Sequence, residues 1–242
     1  MPDKKAAAMI EQLAGRLELA LDKTVQEKLL RYTGLLLQGL QKQRLTGERT
    51  AGGLIEKHLY DSLYPLRLLS FADNSRTLDL GSGGGLPGIP VKICLPKIAM
   101  YLADANKRKI MFLKETAVQL GLEMVYTIHD RAENIGQNTE YRENYDYVLC
   151  RAVAETAVLA ELSLPLLKIG GRAIIYKGPR GETELEEARA AIKLCGGRFD
   201  EMHLYSLPAG ENRSLIILEK VMRTPPQYPR AVGRPNKKPL KG

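Results

Sequence analysis

The chain predicts an α/β fold: a seven-stranded, mostly parallel sheet that ends in an antiparallel hairpin and follows an N-terminal helical segment. Three observations predict it. From residue 76 onward short apolar runs alternate with helical stretches, the pattern of βαβ crossovers in a parallel sheet. The last two apolar runs are joined by Leu207-Pro-Ala-Gly-Glu-Asn-Arg213, which has no room for a crossover helix and so makes a hairpin. Before residue 70 the apolar residues recur at three- and four-residue spacing, as on one face of a helix.

Taken in order, Val25, Leu29, Tyr32, Leu36 and Leu40 form a helical stripe, and Thr24 with Glu27 has the form of a capping box at its start. Gly34 and Gly39 weaken this helix and mark a bend or a close approach. The polar, glycine-bearing stretch from Gln41 to Gly53 reads as a loop, and a further helix is expected from about Leu54 to Leu69. The seven expected strands are Thr77 to Leu80, Ala99 to Ala103, Met124 to Ile128, Tyr147 to Cys150, Arg172 to Tyr176, His203 to Ser206 and Ser214 to Glu219. Three units follow: a helical cap over 1–70, an α/β domain over 71–221 and a basic, proline-rich tail over 222–242.

The 242 residues, 44% hydrophobic and 26% charged, suffice for one globular core with appendages. No apolar run approaches membrane-spanning length, and the N-terminus has no apolar core of the secretory kind, so a cytoplasmic protein without a membrane partner is expected. Cys94, Cys150 and Cys195 are far apart, as are His58, His129 and His203, which supports neither a disulfide framework nor a metal site. The net charge is +8, and the tail supplies six of those charges through Arg223, Arg230, Arg234, Lys237, Lys238 and Lys241, with no acid after Met222. Five tail prolines bar a regular helix. Such a strip suits phosphate backbones, or else is a solvated tail. Tyr228 and Leu240 could dock it on the body.

The most informative segment is Thr77-Leu-Asp-Leu-Gly-Ser-Gly-Gly-Gly-Leu-Pro-Gly-Ile-Pro90, where an apolar strand runs into a glycine cluster, with Asp104 closing the next apolar run. Gly81, Gly83 and Gly85 allow a sharp turn and a close ligand approach, and a carboxylate at the end of the second strand can accept from ribose hydroxyls. A dinucleotide fingerprint starting at Gly81 requires glycine at 86, where this chain has Leu86. The Gly-x-Gly-x-Gly found instead is similar to the first motif of S-adenosylmethionine-dependent methyltransferases.

Further segments extend the likeness. His58-Leu-Tyr-Asp-Ser62, the glycine cluster, Arg131-Ala-Glu133, Arg151-Ala-Val-Ala154, Tyr176-Lys-Gly178 and Tyr228-Pro-Arg-Ala-Val-Gly-Arg-Pro235 occur in order. Together they resemble the RsmG (GidB) family over roughly residues 20 to 240. The resemblance implies a class I methyltransferase (Rossmann-like) fold, and methyl transfer to N7 of a guanine in small-subunit (16S) ribosomal RNA. It also implies that Gly81 and Leu86 line the methionine and adenosine portions of the cofactor, that Ala132 and Glu133 lie on its adenine side, and that Arg151 binds the cofactor and stands at the reaction centre. The partner implied is that RNA or the small ribosomal subunit; a monomer without a metal is expected. Two departures stand out: Arg44-Leu45-Thr46 replaces the family's usual Asn-Leu-Thr, and Cys150 stands where relatives often carry serine.

The chemistry narrows further by exclusion. Amine methyltransferases usually carry Asp/Asn-Pro-Pro-Tyr/Phe after the fourth strand, and cytosine-C5 enzymes a Pro-Cys nucleophile; this chain has Cys150-Arg-Ala-Val, and neither Cys94 nor Cys150 follows proline. Guanine N7 carries an in-plane lone pair and no proton, so its attack on a sulfonium methyl needs alignment rather than a general base. Arg151 is then a positioning residue, or forms a structural pair with Glu155. Asn106 caps a helix whose first turn holds Lys107, Arg108 and Lys109, where the macrodipole disfavours cations; phosphate contact and a solvated helix end are the two readings. Expected RNA contacts are Arg44, Lys107, Arg108, Lys177, Arg230, Arg234 and Lys237. The competing functions are a small-molecule methyltransferase and a non-catalytic rRNA-binding assembly factor.

Overall fold

A computed structural model describes residues 4–151 and 154–240; Ala152 and Val153 of the Arg151–Ala154 motif, Lys241 of the tail and the chain ends lie outside them. The strands are β1 (Arg76–Leu80), β2 (Ala99–Ala103), β3 (Val125–Ile128), β4 (Tyr145–Arg151), β5 (Leu167–Lys177), β6 (Gly197–Ser206) and β7 (Asn212–Lys220). They form one sheet in the order β3-β2-β1-β4-β5-β7-β6. The first five are parallel to one another; β7 runs antiparallel to both β5 and β6. The order in which the chain lays down strands switches sides between β1 and β4, so a crevice opens at the carboxyl ends there.

Side-chain alternation divides the core in two. Leu102, Leu149, Ile174, Leu215 and Ile217 face one cluster, while Leu78, Val148, Cys150, Ala173, Ile175, Ile216 and Leu218 face the other. The first face is covered by α1 (Lys4–Leu17), α2 (Lys23–Leu40), the helical run from Ala51 to Arg67, α5 (Gly88–Cys94) and α6 (Lys107–Gln119). That run is not one α-helix. It comprises α3 (Ala51–Gly53), a π-helical stretch Leu54–Leu59, α4 (Tyr60–Leu63) and a 3₁₀ turn Tyr64–Arg67. The second face carries α7 (Ala132–Gln137), α8 (Thr156–Ser163) and α9 (Gly181–Leu194), with α10 (Arg234–Lys237) beside them.

Local chemistry corrects some expected boundaries. The cap of α2 is Asp22, whose carboxylate accepts from Val25 N at 2.8 Å, rather than Thr24. Gly39 marks close packing, since a Cβ there would sit 2.6 Å from Leu45 and 2.7 Å from Phe112. The last helical run starts earlier than expected, because Thr50 Oγ1 accepts from Gly53 N and caps it. Asn106 caps α6 as expected, accepting from Arg108 N and Lys109 N.

Candidate functional site

The glycine turn folds back on the strand ends. Gly81 N and Ser82 N both donate to Ala103 O at 2.9 Å, and Asp104 Oδ2 accepts from Gly83 N at 3.0 Å. Gly81, Gly83 and Gly85 have φ of 81°, 58° and 95°, a region in which an L side chain is strained. Asp104 Oδ1 accepts from Asn106 N, and Lys109 Nζ lies 3.6 Å from Oδ2, so this carboxylate ties β1, β2 and α6 together.

Beside it opens a cavity of about 230 Å³, bounded by Gly81, Asp104, Asp130, Ala132, Glu133 and Asn236 among others. Acids at the strand ends and the apolar wall of Ala132, Ile135 and Leu162 suit a nucleoside: carboxylates for hydroxyls, a greasy slot for a flat ring. The residues therefore fit the adenosine half of the expected cofactor. Of the residues expected to hold it, Gly81, Asp104, Ala132 and Glu133 line this cavity. Gly83 and Gly85 shape the turn, and Leu86 is packed into the core.

Arg151 lies elsewhere, on a second cavity of about 440 Å³ over the ends of β4 and β5, with Lys57, His58, Asp61, Tyr176, Lys177, Glu184 and Arg213. Its carboxylate partner is Asp61, at 3.1 Å and 9% exposed, where a pair with Glu155 was the expected alternative. Arg151 also donates to His58 O and from NH2 to His58 Nδ1, at 3.2 and 3.1 Å. A guanidinium can only donate, so Nδ1 is an acceptor and the imidazole proton sits on Nε2, facing Thr46 Oγ1 at 2.5 Å. Burial first, and the Arg151 charge second, push the His58 pKa down to about 4. Asp61 also accepts from Tyr205 OH at 2.5 Å, and Tyr176 OH donates to Ser62 O. The His58–Ser62 segment thus bolts the helical cap to the sheet.

Other expected residues divide into two groups. Arg44, Lys107 and Arg108 are exposed, and Gln43 Nε2 donates to Arg108 O at 3.4 Å, which sets the Arg44 loop beside the first turn of α6. Arg234 and Lys237 are exposed on α10. Lys177 is paired with Glu184 at 2.5 Å and donates to Ala154 O. Arg230, expected on an RNA face, is instead an anchor: Glu161, fully buried in α8, accepts from its N, Nε and NH2 at 2.8, 2.8 and 2.6 Å. Cys150 is buried in the sheet with its thiol pKa pushed up by burial, a structural residue rather than a nucleophile.

Sequence reasoning missed Asp130, Glu161 and Asn236. Asp130 ends the β3 run as Asp104 ends β2, and that parallel was available. Glu161 stands alone in the apolar helix Thr-Ala-Val-Leu-Ala-Glu-Leu-Ser, an oddity that demanded a cationic partner. Asn236 reaches the first cavity only through tertiary docking of the tail, which no local pattern announces.

The model of the family described as rRNA small subunit methyltransferase G matches residues 25–215. A protein of Staphylococcus aureus (strain bovine RF122 / ET3-1), named ribosomal RNA small subunit methyltransferase G, is 42% identical over 236 residues, covering 96% of this chain and 98% of its own. One of that name from Leuconostoc mesenteroides is 41% identical over 214 residues, covering 87% and 89%. Among solved structures, TrmN from Thermus thermophilus superposes with a TM-score of 0.54 at 20% identity, covering 67% of this chain and 49% of its own. M. jannaschii TYW2 in complex with AdoMet gives 0.54 at 14% identity, covering 75% and 80%. These two show the fold: a class I methyltransferase sheet.

Proposed function

The chain belongs to the rRNA small subunit methyltransferase G family and is an S-adenosylmethionine-dependent rRNA methyltransferase; on that premise we propose that its methyl acceptor is N7 of a guanine in small-subunit rRNA. One observation carries the choice of atom. Among the described residues, the basic groups around the second cavity are engaged: Asp61 by Arg151 and Tyr205, Glu184 by Lys177 and Thr156 N, and His58 by Arg151 and Thr46. Carboxylates held in ion pairs and an imidazole held by a guanidinium make poor general bases, which suits a nucleophile that has no proton to lose, and N7 is one. An exocyclic amine has a proton to shed, and the end of β4 carries Cys150-Arg151 where amine methyltransferases usually have Asp/Asn-Pro-Pro.

When bound, S-adenosylmethionine supplies an electrophilic methyl on a sulfonium. Gly81, Asp104, Ala132 and Glu133 hold its nucleoside, and Arg151 orients the base from the neighbouring cavity. A donor aimed at N7 would block the attacking lone pair, so Arg151, in a cavity apart from the nucleoside, reaches guanine O6 or a phosphate. Lys57 and Arg213 rim that cavity, while Arg44, Lys107 and Arg108 form a second cationic patch for phosphates. In this reading the helical cap (1–70) and the α/β domain (71–221) share the RNA, and a monomer works in the cytoplasm. No helix among the described residues is long and apolar enough to cross a membrane, and no cluster of three or more His, Cys, Asp and Glu residues among them could hold a metal.

Incubating unmodified small-subunit RNA with the protein and cofactor, then mapping modified bases by mass, tests the reading. Methyl on guanine N7 is expected; methyl on an exocyclic nitrogen or a pyrimidine overturns it.

A further inference from the structure

The tail is built into the body. Arg142 donates to Thr224 O, Pro225 O and Tyr228 O, and Gln137 to Pro226 O and Pro229 O. Arg230 is clamped by Glu161, and its NH2 donates to Lys238 O, which closes the loop on itself. Glu133 Oε1 then accepts from Gly233 N at 2.8 Å, so a residue of the nucleoside cavity is itself held by the tail. Directly after that contact comes the single turn of α10, which brings Asn236 to the cavity rim.

The other polar side chains on that wall are largely engaged. Asp104 holds Gly83 N and Asn106 N, Asp130 Oδ1 holds Arg131 N and Asn134 Nδ2, and Glu133 holds Gly233 N. Asn236 is exposed, lines the cavity and makes no side-chain hydrogen bond among the described residues. A carboxamide offers a donor and an acceptor side by side. Adenine offers the complement, with its N6 amino group beside the acceptor N7. Resting on the cofactor reading above, we infer that residues 223–240 form a strap completing the nucleoside cavity, and that the Asn236 carboxamide reads the amino edge of the cofactor's adenine.

Calorimetry with S-adenosylhomocysteine and with its inosine counterpart, S-inosylhomocysteine, tests this without turnover. Inosine replaces the amino donor by an oxygen acceptor and leaves N7 an acceptor, so neither flip of the carboxamide pairs with both atoms. The wild type should prefer the adenine compound, and Asn236→Ala should weaken its binding by about tenfold, the worth of one or two neutral hydrogen bonds. Binding of the inosine compound should change far less, so the preference collapses. Because Asn236 lies on the rim, the melting temperature of the unliganded variant should match the wild type. Wild-type affinity in Asn236→Ala, or equal weakening for both compounds, overturns the assignment and leaves the methyltransferase reading standing. A wild type that binds neither compound overturns both.

Discussion

At the scale of single residues, Arg151 and Asp79 carry the sharpest consequences. Arg151 touches His58 and Asp61 at once from a planar fork, a geometry that an ammonium cannot copy. Arg151→Ala should lower the single-turnover methylation rate by about 100-fold, because a small misplacement of the base is costly. Affinity for S-adenosylhomocysteine should change little, since the nucleoside cavity is separate; Arg151→Lys should recover little of the rate. A rapid-quench measurement beside calorimetry checks both. Asp79 is buried in β1, with Oδ2 accepting from Gly88 N at 2.9 Å and Oδ1 without a partner among the described residues. Burial pushes its pKa from 3.8 to about 7, against the opposing pull of the Gly88 N–H and the Arg151 charge. The folded state therefore keeps a proton that the unfolded chain releases, and stability from this group falls as pH rises through that window. Asp79→Asn keeps an acceptor for Gly88 and removes the titration. Its advantage over wild type should grow between about pH 5 and about pH 7, at up to about 1.4 kcal/mol per pH unit. Denaturant melts at several pH values read this directly, and a difference that stays constant with pH refutes it.

Among the elements, the glycine turn is the one whose shape the sequence states outright. Gly85 has φ of 95°, and a Cβ there would lie 2.6 Å from Ile89 and 3.0 Å from Leu113. Gly85→Ala should cost about 2 to 4 kcal/mol from backbone strain and overpacking together, measured by denaturant unfolding, and should lower cofactor affinity with it. Strands were legible because period-two alternation and glycine punctuation are local. All seven appear, and β5 and β6 merely start earlier, at Leu167 and Gly197. The cap of α2 was misread since Thr24 and Asp22 both suit an N-terminus, and only the backbone conformation of Asp22 selects it. The π-helical stretch Leu54–Leu59 was illegible, because no local pattern announces one; it carries His58, which meets Arg151 together with Asp61 and Ser62 of the next turn. The site divided the same way. Gly81 and Asp104 followed from strand ends, whereas the partition into two cavities depends on which side chains the cap and tail bring across.

For the molecule as a whole, the tail is the element whose meaning changed most between sequence and fold, from a cationic strip for RNA to a strap on which the core depends. Glu161 has no exposure, and its charge is tolerable only because Arg230 supplies three donors to it. Removing one partner of such a pair strands the other, so Arg230→Met alone should destabilise the protein by about 3 to 5 kcal/mol. Deleting residues 223–242 should do at least as much harm, since Tyr228 and Leu240 also leave the core they pack against. A loss of RNA affinity in that truncation is therefore no evidence that the tail touches RNA. The double variant Glu161→Leu with Arg230→Met separates charge from packing. It replaces a buried ion pair by apolar groups of similar size, which elsewhere is close to neutral. It should recover most of the stability lost in Arg230→Met, but not all, because Arg230 N also donates to Glu161 and would lose its acceptor. Urea unfolding of the three variants checks the ordering. If the double variant is as unstable as the single one, the strap is held by hydrogen-bond geometry that apolar contact cannot replace, and the ion pair is not what fixes it.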